Sequence, residues 1–512
     1  MKGRFLMKLP RRTPRTPLYG ALRHQWQTAQ LTTHRTGNGL TRRDFLKLGT
    51  LATAGGLLGL PRGIALPRRQ SPRVAIVGAG IAGLNAAYTL KKTGINAAIY
   101  EGSLRVGGRM FTTKGVLAPD LLTDLGGEFI DSVHDDMLGL VQEFGLELID
   151  RTALEDQGLA EGYFFGGQHY TTAQVIEALQ PLAAQIDQDI ASLDEDDSAI
   201  ATFDQLSIAQ YLDQIGVTSG WLRDLLDVAF VTENGLSIEE QSALNFLWLA
   251  PTIEGESLTM FGASDERYTI KGGSGHLIDQ LAAALDGQIE TSKLLEAIRG
   301  EADGSFTLSF GDGTSVQADY VIVAIPLTLL RQIDLRLDLP PLQRQGINEL
   351  GYGTNAKVLA GFDQRVWYDQ GATGEVFTDE AFQLAWDNSV GQDSTAGGIT
   401  FYSGGQPGLD VGDGSPEDQA ARLMAGFERV FPGVTSHHNG KVLRMHWPSY
   451  AFALGSYSCP TVGQYSTFFA DISQPVGHLF FAGEHCSDAY WGFMNGGAES
   501  GRVAAENLLA AL

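Results

Sequence analysis

Cysteine is almost missing from this chain: of 512 residues only Cys459 and Cys486 carry a thiol. Neither stands in a C-x-x-C or metal-ligand spacing, so no disulfide framework is implied, and both are expected as buried thiols. The ten histidines include no H-E-x-x-H grouping, so no metal is implied. The absence of a G-x-S-x-G elbow removes the common hydrolase reading. Beyond the N-terminal region no run is long and apolar enough to span a membrane. Lysine is scarce too, with ten in all and three of them before residue 50. Residues 1–70 carry fourteen Lys or Arg against the single acid Asp44, a net of +13, which leaves −37 on the other 442 residues. So acidic a body argues against nucleic acid as a partner and against docking on anionic lipid. An acid-rich, lysine-poor surface is a route to solubility at very high salt, so a halophilic source is one expectation; an acidic secreted protein is the plainer one. A chain of this length exceeds one compact core, and two domains are expected.

What is present is concentrated between Val74 and Arg109. An apolar strand, Val74–Val77, runs directly into Gly78, Gly80 and Gly83, a G-x-G-x-x-G that opens a helix near Ile81. Gly78 permits a tight turn, Gly80 lets backbone approach a pyrophosphate, and Gly83 allows close helix–sheet packing, with Ala82 beside them. The helix N-terminus then offers free amides and a positive dipole end to phosphate. Glu101 ends the second strand 23 residues after Gly78, where a carboxylate can accept ribose hydroxyls and repel the extra phosphate of NADP. A second glycine pair follows in Arg105-Val106-Gly107-Gly108-Arg109, and Arg109 offers a planar fork of donors to the diphosphate. Nicotinamide dehydrogenases do not need this feature.

Further along, Asp124-Leu125-Gly126-Gly127-Glu128 brings two more glycines where backbone could approach a planar ring. From Val133 to Met260 the pattern is mostly helical, with amphipathic stretches at Trp221–Phe230 and Ile238–Leu249 and an acidic loop at 194–197. The GGSG run at 272–275 leads into a helix, Asp312-Gly313 signals a hairpin, and the buried strand YVIVAIP (320–326) should return to the first sheet. Tyr352–Phe362 and Phe401–Ser403 read as strands of a second sheet. The last piece reads strand, glycine-rich turn and helix: Phe481-Ala482-Gly483-Glu484-His485, then Trp491-Gly492-Phe493-Met494-Asn495-Gly496-Gly497.

Together the early fingerprint, the R-x-G-G-R run, the GGSG run, YVIVAIP and the F-A-G-E … W-G-F-M segment resemble the flavin-containing amine oxidases (monoamine, polyamine and L-amino acid oxidases) over roughly residues 72–512. The resemblance implies an α/β fold: a Rossmann-like FAD-binding domain of the GR2 flavoprotein type (72–145, 265–346 and 450–512) with an inserted α+β substrate-binding domain (146–264 and 347–449). It implies that Gly78, Gly80, Ala82, Gly83, Glu101, Arg109, Gly126, Gly127, Leu295, Trp447, Gly483, Glu484, Phe493 and Met494 contact FAD. Lys357 resembles the family lysine that holds a water beside the flavin; otherwise it would be an outward-facing residue of an edge strand. Trp447 resembles the tryptophan that packs against the flavin. Tyr457 and Phe493 fall where two rings flank the substrate amine. Ser456 stands where animal monoamine oxidases attach flavin through cysteine, which implies non-covalent FAD.

The resemblance implies oxidation of a small-molecule amine to imine and aldehyde, with O2 reduced to hydrogen peroxide. L-amino acid oxidases place an arginine after the early glycine pair to clamp a carboxylate; Glu128-Phe129 stands there instead, which favours amines. The alternatives are an L-amino acid oxidase, a flavin-dependent desaturase and a flavin-binding protein without turnover. A homodimer is compatible with this reading. Finally, Thr41-Arg42-Arg43-Asp44-Phe45-Leu46-Lys47 ahead of the Gly/Ala-rich run 48–60 resembles a twin-arginine export signal, and export to the periplasm or beyond is expected.

Overall fold

The computed structural model describes residues 72–512 apart from Asp196, and the twin-arginine run lies outside the described residues. Arg73–Leu512 belong to one compact unit.

Val74–Val77 is buried along its whole length, as four consecutive apolar residues in a covered parallel sheet should be. It lies at the centre of five parallel strands in the order Ile289–Glu290, Ala98–Tyr100, Val74–Val77, Tyr320–Val323 and Leu479–Phe481. Three distant parts of the sequence meet in this sheet. The expected return of the YVIVAIP strand is met, with Val74 opposite Tyr320 and Val77 opposite Val323. Helix Ile81–Lys92 makes the crossover to Ala98–Tyr100, while Tyr320–Val323 flanks the other side. The order therefore reverses at Val77, and a crevice opens at the carboxyl ends of the strands, the usual place for a ligand in such sheets. Helix Met494–Ala510 crosses Ile81–Lys92 closely: a Cβ on Gly501 would stand 2.1 Å from the Ala82 carbonyl oxygen.

A second sheet has seven strands in the order His438–His446, Ala356–Phe362, Gly397–Ser403, Leu384–Asp387, Ala372–Thr378, Ala160–Phe165 and Gln168–Tyr170. All neighbours are antiparallel except Ala372–Thr378 beside Ala160–Phe165. Val358, Ala360, Phe362 and Phe401 share a core with Leu423 and Phe427 of helix Pro416–Val430. That helix is started by a capping box, Ser415 Oγ accepting from the Asp418 amide and the Asp418 carboxylate from the Ser415 amide. Because strand side chains alternate, the opposite face presents Lys357, Tyr402 and Leu384, which sit side by side across three strands.

Three expectations change. The stretch 133–260 does hold helices Thr172–Glu195, Ile208–Gln214, Trp221–Asn234 and Ala243–Trp248, but it also supplies the hairpin Ala160–Phe165/Gln168–Tyr170. Gly166 and Gly167 turn that hairpin at φ +59° and +75°, a two-residue mirror-image turn for which Gly-Gly is a direct signal. Of the expected 194–197 loop, Asp194 and Glu195 close one helix and Asp197 opens the next, so these three residues are helical. Of the thiols, Cys459 is buried but Cys486 only half-buried, and neither forms a disulfide.

Candidate active site

At the carboxyl ends of the parallel strands lies a cavity of about 610 Å3. One end is the glycine turn. Gly78 has φ +100°, and a Cβ there would sit 2.6 Å from the Ala324 carbonyl oxygen, so only glycine fits. At Gly80 the nearest protein atom to an added Cβ is Gly108 Cα at 4.0 Å, and both glycines line the cavity; a side chain would fill ligand space rather than clash with protein. The two glycine runs are tied together by the Gly107 amide donating to the Ala79 carbonyl at 2.8 Å. Glu101 is buried and accepts from the Ala79 and Ser103 amides, each at 2.8 Å, which fixes its carboxylate at the cavity wall beside Leu295.

The middle of the cavity is bounded by Gly126 and Gly127. A Cβ on Gly126 would reach the Arg109 carbonyl oxygen at 1.8 Å, and one on Gly127 would reach Met494 Cγ at 2.7 Å. Lys357 rises from an interior strand of the second sheet and is buried. Its Nζ donates to Asp124 O at 3.1 Å, Gly126 O at 2.9 Å and Glu128 Oε2 at 3.1 Å. Trp386 Nε1 holds the same carboxylate, 3.2 Å from Oε1 and 3.3 Å from Oε2. Trp447 lies across the loop and donates from Nε1 to Leu125 O at 3.1 Å.

Beyond this point Tyr457, Phe493, Tyr402, Trp386, Leu384 and Phe261 wall the cavity, with Glu233 and Glu266 among them. Tyr457 Oη donates to the Glu233 carbonyl at 2.7 Å and contacts Tyr402 Oη at 3.0 Å. Burial pushes the Tyr457 phenol well above its ordinary range, with Tyr402 and Glu233 adding to the effect. Burial, then Glu375 and Glu233, likewise raise the Glu266 carboxyl well above its usual range. Phe493 precedes helix Met494–Ala510 and packs edge-on to His134 at 5.2 Å.

Glu484 joins the parts. It accepts from Arg109 Nη1 at 2.9 Å, Ser458 Oγ at 2.6 Å and the Gly492 amide at 2.7 Å. Burial alone would raise this carboxyl, but Arg109, His485 and the hydrogen bonds outweigh it and bring it to about 2. Gly483, at φ +137°, turns the chain into this position.

The structure brings every predicted site residue to the cavity wall except Gly83. Gly83 faces its own turn, where a Cβ would stand 1.9 Å from the Gly78 carbonyl oxygen, so it shapes the cradle without lining it. Arg109 departs from expectation in part: one Nη1 serves Glu484 and the Ser456 carbonyl rather than standing free for a diphosphate. The edge-strand alternative for Lys357 fails, because its strand is interior. Ser456 Oγ donates to Asn355 Oδ1 at 2.6 Å, and Cys459 is not among the lining residues. The sequence reading missed Trp386, Tyr402, Glu233 and Glu266. Tyr402 could have been found, since it lies in a recognised strand opposite Lys357; the others carry no local signal.

Residues 81–509 match the family described as flavin containing amine oxidoreductase. The chain belongs to that family. Among its relatives, "Probable flavin-containing monoamine oxidase A" of Dictyostelium discoideum is 26% identical over 449 residues, covering 85% of this chain and 96% of that protein. Polyamine oxidase 4 of Oryza sativa subsp. japonica is 26% identical over 462 residues, covering 85% and 88% respectively. A solved structure of putrescine oxidase bound to putrescine superposes with a TM-score of 0.75 at 21% identity, covering 86% of this chain and 99% of that one.

This amine oxidoreductase takes FAD as cofactor. The residues present fit that group: a glycine cradle open to the cavity at Gly80 and Gly108, a fixed carboxylate at Glu101, and a helix N-terminus at Met494 facing the same space.

Proposed function

We propose that this amine oxidoreductase is an FAD-dependent oxidase of small amines that lack a carboxylate, converting a primary or secondary amine to imine and aldehyde while O2 becomes hydrogen peroxide. Bound FAD supplies the two-electron acceptor and passes the electrons to dioxygen. The chain's own residues do the rest. Tyr457 and Phe493 bound the slot that orients the amine, and Phe261, Leu384 and Trp386 exclude water from it. The raised Tyr457 phenol stays protonated at neutral pH and orients through its hydroxyl rather than acting as a base. The amine enters uncharged and needs no base.

The observation that carries the reading is the acidic wall around Tyr402 and Tyr457: Glu233 and Glu266 stand there, neighbouring acids already help to hold the Glu266 carboxyl well above its usual range, and a substrate carboxylate would add one more acid to that low-dielectric cluster. The nearby guanidinium of Arg151 is paired with Glu375 at 2.9 Å and lies against Phe129. The test is anaerobic mixing of the yellow holoenzyme with a panel of amines and L-amino acids. Bleaching by amines, with peroxide released on admitting air, supports the reading. Bleaching by L-amino acids alone would replace it with amino acid oxidation.

The same proposal assigns 72–145, 265–346 and 450–512 to the cofactor-binding part and 146–264 with 347–449 to the substrate-binding part. The twin-arginine run supports export of the folded, FAD-loaded protein. The acid-rich, lysine-poor composition supports work at high salt.

A further inference from the structure

The ammonium of Lys357 has three protons and three protein acceptors: two loop carbonyls and the Glu128 carboxylate. The acceptors belong to residues 124, 126 and 128, alternate positions of one segment. Glu128 is itself held from the other side by Trp386, whose ring lies 5.0 Å from Lys357 Nζ and packs edge-on to Tyr402 at 5.3 Å. The pair is enclosed, with both side chains less than 10% exposed. A buried ion pair of this kind holds its members in place more than it adds stability, since both charges have left water.

We infer that Glu128 is a positioning residue: it accepts one of the three Lys357 protons, so that the lysine faces the cofactor cavity as a fixed, partly neutralised cation. This rests on the amine oxidase reading and deepens it. The consequence is electrostatic. A cation at this place favours added negative charge on the cofactor and on dioxygen as it is reduced, and the Glu128 carboxylate holds that effect down. Glu128 therefore governs the redox balance of the site.

The variant to make is Glu128→Gln. Oε2 already accepts from both Lys357 and Trp386, so one amide oxygen can keep both hydrogen bonds while the negative charge goes. In the FAD-loaded enzyme, the two-electron midpoint potential should rise so that the reduced-to-oxidised ratio increases about tenfold, roughly 30 mV. The same substitution in a Lys357→Met background should shift it far less, because there is no cation to release. Should Glu128→Gln fail to fold, Glu128→Asp, whose shorter arm withdraws the carboxylate from the ammonium, should shift the potential in the same direction. An unchanged potential in a folded, yellow Glu128→Gln protein overturns the proposal. So does an equal shift with and without Lys357, which would mean that Glu128 acts directly. The potential is measured with a chemical reductant, so it stands even if no amine reduces the enzyme; that separate result would count against the amine reading alone.

Discussion

The hydroxyls of Tyr402 and Tyr457 stand 3.0 Å apart, one from the interior of the second sheet and the other from the loop that follows Trp447. Tyr457 has a single proton and turns it to the Glu233 carbonyl at 2.7 Å, so Tyr402 must be the donor between the two phenols. The order of donation ranks the two residues. Tyr457→Phe leaves both the Tyr402 proton and the Glu233 carbonyl without this partner, whereas Tyr402→Phe leaves only one lone pair on Tyr457.

Tyr457→Phe should accordingly cost more stability than Tyr402→Phe, about 1–3 kcal/mol for the former. It should also raise KM for amines more than it lowers kcat, since the ring that flanks the substrate remains but is less firmly held. Denaturant unfolding of the two variants, with amine kinetics alongside, checks the ranking. Equal losses would place the donor the other way round.

Gly83→Ala should damage the cradle without touching the ligand. A Cβ at 1.9 Å from the Gly78 carbonyl oxygen forces the turn and the start of helix Ile81–Lys92 apart. Overpacking of this kind costs about 1–3 kcal/mol or more. The expected outcome is a protein purified largely without FAD, measured by the ratio of visible to ultraviolet absorbance. Gly80→Ala should also lose FAD but keep the stability of the cofactor-free protein, because a Cβ there meets no protein atom closer than 4.0 Å.

Acid should loosen the site through Glu484 and His485. Glu484 is brought from 4.5 to about 2 in the fold, so it contributes stability that is complete above 4.5 and is lost as pH falls towards 2. Burial lowers His485 from 6.5 to about 4, so its neutral form is favoured in the fold and stability is given up as pH falls from 6.5 towards 4. Each is worth on the order of 3 kcal/mol at full extent. Asp124, raised to about 6 chiefly by burial and by Glu128, works in the opposite direction over the range from 6 down to 4. The difference between wild type and Glu484→Gln isolates the Glu484 share: melting temperatures should diverge most near neutrality and converge at the acid end.

Much of the cofactor end was legible in the sequence because its chemistry is local. The glycine turn, Glu101 and the R-x-G-G-R run lie within thirty-six consecutive residues, and Gly83, Gly107 and Gly108 answer to backbone of that same region, although Gly78 meets the distant Ala324. The substrate end was legible only at Tyr457, Phe493 and Lys357, which sit in extended motifs. Trp386 reaches the cavity through pairing of strands, Glu233 through a helix end and Glu266 through the loop ahead of strand Tyr268–Ile270, so their place depends on the tertiary fold rather than on neighbours in sequence. Glu128 was read from the sequence as the lack of an arginine. Its partner, Lys357, lies more than two hundred residues away, and no spacing rule connects them.

Glu233 and Glu266 give the most direct test of substrate choice. Both line the cavity, and Glu375 and Glu233 are the charges that, after burial, do most to raise the Glu266 carboxyl. A substrate carboxylate would add one more acid to this crowded set, while a second ammonium would relieve it. Replacing both acids, as Glu233→Gln with Glu266→Gln, removes the discrimination without changing side-chain size. The ratio of kcat/KM for a simple amine over that for its α-carboxylated analogue should fall at least tenfold, roughly 1.4 kcal/mol of lost selectivity, with most of the change in KM for the acid. If the ratio holds in the double variant, the acids do not set substrate choice, and exclusion of carboxylates must come from the shape of the slot between Tyr457 and Phe493.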